Sequence, residues 1–238
     1  MKSLPLYLGY EHDCDYLPGQ RAQMVYVDPH ATLNKPMYSR LAANGFRRSG
    51  GLVYRPHCAL CKACAPVRVA VEDFRANRSQ RRTLKINADL SVAATPPGFD
   101  ERHYRLYLRY LRARHPDGNM AESSREDYLG FLGNAWGETV FYEFLAGDEL
   151  LAVAVVDHLD EGLSAVYTFY DPDQTRRGLG SFAVLWQIGE ARRRGLPWVY
   201  LGFWIQGCRK MAYKNNFRPF EALLGNQWVA MGEADGER

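Results

Sequence analysis

Hydrophobic and polar positions change rhythm near residue 95. Before it, apolar residues come in short pieces, among them Met24–Val27 and Val67–Val71, which have the length and composition of strands. Pro18-Gly19, Asp28-Pro29, Ser49-Gly50-Gly51 and Arg55-Pro56 separate such pieces with turns. Met37–Asn44 followed by Gly45 predicts a helix with a glycine beyond its end, and Phe74–Asn87 a basic segment that is helical in its second half. Thr95-Pro96-Pro97-Gly98 is the clearest linker. After it, Tyr104, Tyr107, Leu108 and Leu111 repeat at the spacing of an amphipathic helix. Ser123-Ser124-Arg125-Glu126 is a capping-box candidate opening a second helix. Val140–Leu145, Leu150–Asp157 and Leu163–Tyr170 then read as strands. Arg176–Gly180 is a basic glycine-containing loop, Ser181–Arg194 a helix, Trp198–Phe203 a strand and Arg209–Asn215 a short helix. Pro219–Leu224 and Gln227–Ala230 close the chain as strands.

Two helices, three strands, a glycine loop, a helix, a strand, a helix and a final strand is the order of an acyltransferase fold of the GNAT acetyltransferase type. The expectation is therefore an α+β protein: residues 1–94 as a small cysteine-motif domain and residues 95–238 as a GNAT-like acyltransferase domain. In such a fold a loop like Arg177-Gly178-Leu179-Gly180 offers backbone N–H groups to a phosphate at a helix start. A tight turn with charged neighbours is the plainer alternative.

Composition adds a charge pattern. The 238 residues are 47% hydrophobic and 24% charged, ordinary globular values that exclude a disordered or collagen-like chain. Net charge is +3, yet residues 40–125 hold 17 Lys and Arg against 7 Asp and Glu, while residues 126–238 hold 10 against 16. Arg makes 24 of the 30 basic residues, and its rigid donor fork matches phosphate. Arg75, Arg78, Arg81, Arg82 and Lys85 form the candidate phosphate stripe, with a solvated helix face as the alternative. No signal peptide and no span of about 20 apolar residues is visible, so the expectation is a cytoplasmic protein without membrane attachment. The sequence does not set an oligomeric state.

Five cysteines are an odd number for disulfides. Cys58, Cys61 and Cys64 are spaced so that three sulfurs can turn onto one group. Zinc or an iron–sulfur cluster wants four ligands, with Cys14 as the natural fourth, His57 as a second candidate, and Cys208 set aside as part of the other domain. A reduced thiol cluster without metal is the alternative.

Several motifs stand together. They are Cys14–Ala22, Asn44–Gly50, Tyr54–Cys58 running into the cysteine triplet, Arg78-Ser79-Gln80-Arg81-Arg82, Ala165–Pro172, Tyr200–Phe203 and Cys208–Lys214. This set resembles the arginyl-tRNA–protein transferase family, and within it the bacterial branch of aspartate/glutamate leucyltransferases, over nearly the whole chain. The resemblance implies transfer of leucine or phenylalanine from charged tRNA to a protein's N-terminal Asp or Glu, marking it for N-end-rule degradation. The implied partners are aminoacyl-tRNA and such acceptor proteins. Arginyl transfer to the same acceptors, acyl-CoA-dependent N-acetylation, and RNA binding without catalysis are the rivals.

Aminolysis of an activated ester needs placement, proton removal and oxyanion stabilisation, and the transfer itself requires no cofactor. The resemblance points to the splay between two central strands, hence to Tyr167, Thr168 and Phe169 on one and Tyr200, Gly202 and Phe203 on the other. Asp157 is a candidate proton acceptor, with a turn cap as its plainer role; Tyr213 and Lys214 are candidate donors to the leaving hydroxyl. The acceptor carboxylate needs a cation, for which Arg47, Arg48 and Arg78 are candidates within their motifs, with Ser79 and Gln80 beside Arg78.

Overall fold

The computed structural model describes residues 4–114 and 123–232. In the N-terminal layer, strands β1 (Leu6–Leu8), β2 (His12–Asp13), β3 (Arg21–Ala22) and β4 (Met24–Val27) precede helix α1 (Lys35–Ala43). The side chain of Asn34 caps α1 by accepting from the Met37 N–H at 3.0 Å, and Gly45, at φ +82°, turns the chain away beyond its end. Strands β5 (Arg47–Ser49) and β6 (Leu52–Pro56) form a hairpin, and β1, β4, β6 and β5 make a four-stranded antiparallel sheet in that order.

The chain then enters a second, eight-stranded sheet with β7 (Cys64–Ala70). After α2 (Arg78–Ile86), whose Asn77 and Gln80 form a reciprocal capping box, β8 (Ser91–Thr95) adds its edge strand. Next come α3 (Glu101–Arg114), α4 (Arg125–Leu132), β9 (Glu138–Ala146), β10 (Glu149–Leu159) and β11 (Gly162–Tyr170). A 3-10 turn (Thr175–Arg177) leads into α5 (Leu179–Arg193), followed by β12 (Trp198–Ile205), a 3-10 turn (Ala212–Asn216), β13 (Phe220–Leu224) and β14 (Gln227–Met231). The strand order is β14-β13-β7-β12-β11-β10-β9-β8.

This order crosses the expected boundary at residue 94. β7, from the cysteine segment, lies between β13 and β12, so the two halves share one sheet. Alternation in Cys64–Ala70 gives the strand one core face and one polar face. Ala65, Val67 and Val69 are buried in the core under α5, while Arg68 on the other face stacks 3.5 Å from the Trp198 ring and pairs with Glu221. Full burial of each valine contributes roughly 1.5–3 kcal/mol. β8 escaped the sequence reading because its short Ser-Val-Ala-Ala-Thr run lies mostly exposed on the sheet edge. The capping box of α4 uses Ser124 and Asp127, one residue later than expected, and the Ser123 carbonyl just before it accepts from the Tyr104 hydroxyl at 2.6 Å.

α5 covers one face of the large sheet; α3, α4 and the N-terminal layer share the other. Among the described residues, no helix is long and apolar enough to cross a membrane. A chain beginning at residue 95 lacks β7 and β8, so β12 and β13 lose their common partner. We expect that fragment to give no cooperative urea transition by circular dichroism; a transition like that of the full chain contradicts the shared sheet.

Candidate functional site

The site forms where β11 and β12 part. Their parallel pairing covers only Gly162–Ser164 against Trp198–Tyr200, whereas β11 stays on β10 to its end and β12 stays on β7. At the same level β12 slips register against β7 between Tyr200 and Gly202, and Gly202 takes φ +83°. A gap therefore opens beyond Tyr200.

Two buried cations face it. A Cβ built on Gly202 would lie 3.5 Å from Lys214 Nζ and 4.0 Å from Arg47 Nε. Lys214 donates to the Phe203 carbonyl at 2.5 Å and to Met211 Sδ at 3.2 Å. Burial, then the Arg47 charge, push its pKa down to about 7. Arg47 is 6% exposed; its Nη1 donates to the Phe46 carbonyl at 2.8 Å, and its guanidinium lies 5.3 Å from the Tyr200 ring centre. Among the described residues, its Nε and Nη2 are buried without a hydrogen-bond partner. Tyr54 flanks the pair, its ring 6.2 Å from Phe203.

The next residue in β5 has the opposite fate. Arg48 Nε and Nη2 donate to the two carboxylate oxygens of Asp157 at 2.6 and 2.8 Å, and the Thr139 hydroxyl donates to the same group at 2.6 Å. Arg48 Nη2 also reaches the Leu132 carbonyl at 3.0 Å. Asp157 is 1% exposed and both its oxygens are taken, so it is a structural anchor and not a proton acceptor; Arg48 is likewise not free for a substrate carboxylate.

Other expected residues divide similarly. Phe169 is fully buried among Tyr107 and Tyr128, and is core. Tyr167, half-buried, packs on Phe131 and Tyr110; burial raises its pKa, which keeps it a phenol. Thr168 is half-buried opposite Ala154. Tyr200 is 3% exposed and edge-on to Trp228, so it supports Arg47 from the core side. Tyr213 is 46% exposed overall; desolvation by the atoms packed around it, then Tyr170, raise its pKa to about 12. The turn Ala212–Asn216 thus sets Tyr213 and Lys214 beside the gap.

Gln80 is used by its capping box and by the Asn216 carbonyl at 2.7 Å. Ser79 is exposed at the start of α2. Arg78, Arg81, Arg82 and Lys85 follow one face of α2, all exposed, with Arg75 just before it. None of these five forms an ion pair among the described residues. Arg177 is committed instead: it grips Asp89 through two bonds of 2.9 Å. Gly178, at φ +59°, starts α5, and Gly180 packs against the Tyr170 ring.

The cysteines line one cavity of about 420 Å³. Cys14, Cys58, Cys61 and Cys64 share it with His57, Tyr16 and Phe203. Burial, then the neighbouring thiols, raise the Cys64 pKa to about 12; Cys208 is among those neighbours. Cys208 was set aside by its place in the chain, but Ile205 pairs with Cys64 across β12 and β7 and brings it close. No three of these sulfurs lie within 4.8 Å of one another among the described residues. The one group of metal-type donors that close is Asp100, His103 and Glu143, whose two carboxylates are already bound by Arg102.

Two expectations follow. Asp157→Asn leaves Arg48 buried without its counter-charge and should cost about 3–5 kcal/mol in urea unfolding; an unchanged midpoint contradicts the anchor. Lys214 binds a proton more readily unfolded than folded between its lowered pKa of about 7 and its ordinary value. Its presence therefore makes stability rise with pH across that window. Relative to Lys214→Met, the wild-type chain should gain stability between pH 7 and pH 10; a constant difference contradicts the buried amine.

Comparison with known proteins places this geometry in context. A family model described as Arginine-tRNA-protein transferase, N terminus, matches residues 12–82, and its C-terminal counterpart matches residues 102–224. The chain is 50% identical over 232 residues to a protein of Alkalilimnicola ehrlichii, covering 97% of each chain. It is 49% identical over 231 residues to a protein of Marinobacter nauticus, covering 97% of this chain and 98% of that one. Both relatives carry the name aspartate/glutamate leucyltransferase.

Proposed function

The chain belongs to the arginine-tRNA-protein transferase family, and from that membership we propose that it moves leucine from charged tRNA to the N-terminal Asp or Glu of acceptor proteins. It is an aminoacyltransferase. The observation that carries the reading is likeness at about half of all positions along almost the entire length of leucyltransferases. Acceptors so marked would enter N-end-rule degradation.

The chemistry is aminolysis. The acceptor's amine nitrogen bonds to the ester carbonyl carbon, the bond from that carbon to the ribose oxygen breaks, the amine loses a proton and the ribose oxygen gains one. The donor arrives activated, so placement and charge stabilisation supply the rate. The gap between β11 and β12 supports a GNAT-like arrangement, in which the acyl group sits where the central strands part. Tyr213, in the turn Ala212–Asn216, is our candidate for moving the proton to the ribose oxygen.

Cys14, Cys58, Cys61 and Cys64 are the residues we propose to hold a metal group. Tetrahedral zinc needs its sulfurs about 3.8 Å apart, so these thiols must close to take it. The cavity of about 420 Å³ that they line leaves room for the larger iron–sulfur cluster as well. Either group would tie the loops around β2, β3 and β7 together, and an iron–sulfur cluster would add oxygen sensitivity.

The face of α2 carrying Arg78, Arg81, Arg82 and Lys85 is our proposed tRNA contact, continued by exposed Arg176, Arg209 and Lys210. Radiolabelled leucyl-tRNA should label peptides beginning with Asp or Glu and not Ala. Label arriving only from arginyl-tRNA or acyl-CoA contradicts the leucyl reading. Arg81→Gln with Arg82→Gln should lower the salt dependence of tRNA binding by about one unit of log–log slope per lost phosphate contact; an unchanged slope removes α2 from the interface.

A further inference from the structure

Arg47 and Lys214 are buried cations with no carboxylate partner among the described residues. Buried charges are normally paired, because an unpaired one forfeits hydration without return. Here two like charges share one wall, each adding to the other's cost, and the Lys214 pKa is lowered in part by Arg47. Arg48, one residue away, shows how this chain satisfies a guanidinium whose role is structural: a bidentate carboxylate, a hydroxyl and a carbonyl.

The unused donors of Arg47 are specific. Nη1 is held by the Ala42 and Phe46 carbonyls, which fixes the plane of the group. Nε and Nη2 remain, and they are the two donors of one guanidinium edge. That edge matches the two oxygens of a carboxylate. Gly202, lacking a side chain, leaves the position facing both groups unfilled. Any side chain there would start 3.5 Å from Lys214 Nζ and 4.0 Å from Arg47 Nε. Gly202 and Phe203 are both half-buried, so the wall opens on their side.

We propose that Arg47 and Lys214 form the subsite for the acceptor's side-chain carboxylate: Arg47 takes it through its Nε and Nη2 edge and Lys214 supplies the second positive charge. This rests on the transfer reading above and names the residues that select Asp and Glu over Asn and Gln. A phosphate of the tRNA end is the other anion such a pair could bind. Either anion can present two oxygens to that edge, but Arg47 is only 6% exposed, and a carboxylate at the tip of a side chain enters so closed a wall more readily than a phosphodiester linked on both sides.

The test has a kinetic and a binding arm. For Arg47→Gln, KM for an Asp-initiated peptide should rise at least about tenfold, with kcat changed far less, and preference for Asp over Asn should fall by a similar factor. Lys214→Gln, which keeps Arg47, should lower that preference more weakly. A folded Arg47→Gln protein that still prefers Asp overturns the proposal; if Arg47→Gln does not fold, retained preference in Lys214→Gln overturns it. In the binding arm, an Asp-initiated peptide should raise the melting temperature of the wild-type protein while its Asn counterpart does not. Stabilisation by inorganic phosphate without stabilisation by the Asp peptide assigns the pair to tRNA and overturns the proposal. If the wild-type protein transfers no leucine at all, the transfer reading fails, and the binding arm alone decides whether the carboxylate site exists.

Discussion

The buried pair between Arg48 and Asp157 holds the two halves of this protein in register. Arg48 comes from the N-terminal hairpin and Asp157 from near the end of β10. The same guanidinium reaches the end of α4 through the Leu132 carbonyl, and Thr139 on β9 completes the shell. Four separate elements therefore meet at one ion pair. A buried pair is poor evidence of net stability, since desolvation offsets much of its attraction. What it supplies is position: the arrangement that leaves no charge unmet is the one with the N-terminal layer seated on the large sheet.

That seating gives Arg47 its setting. Neighbouring residues of a strand point to opposite sides. With Arg48 turned into Asp157, Arg47 is directed toward Tyr200, Gly202 and Lys214. β7 completes the arrangement from the other side. It carries Cys64 at its start, pairs with β12 along nearly its whole length, and ends the thiol cavity beside Phe203. The cysteine cavity and the strand gap are thus two sides of one β7–β12 unit.

Much of this was legible in the chain before any coordinates. The helices, the three long strands and the cysteine triplet follow from periodicity and spacing, because each is a local signal. The insertion of β7 was not legible: Cys64–Ala70 alternates like any half-buried strand, and nothing in that alternation says which sheet it joins. The two arginines could not be ranked for the same reason. Arg47 and Arg48 are chemically identical in sequence, and only Asp157, more than a hundred residues away, separates them. Asp157 was misread as a proton acceptor because a carboxylate at a strand end gives no sign of a distant guanidinium. The pairing of Arg177 with Asp89 is equally invisible in the sequence, because the two lie on opposite sides of the expected boundary. Cys208 was excluded by that same boundary.

Spectroscopy of the arginine Nε–H groups tests the division of labour between Arg47 and Arg48 most directly. In the free protein, the Arg48 resonance should already lie at the shifted position of a carboxylate-bonded guanidinium, while that of Arg47 should not. On adding an Asp-initiated peptide, the Arg47 resonance should move to join it and the Arg48 resonance should stay. An Arg48 signal that moves with the peptide while Arg47 remains still would contradict the account.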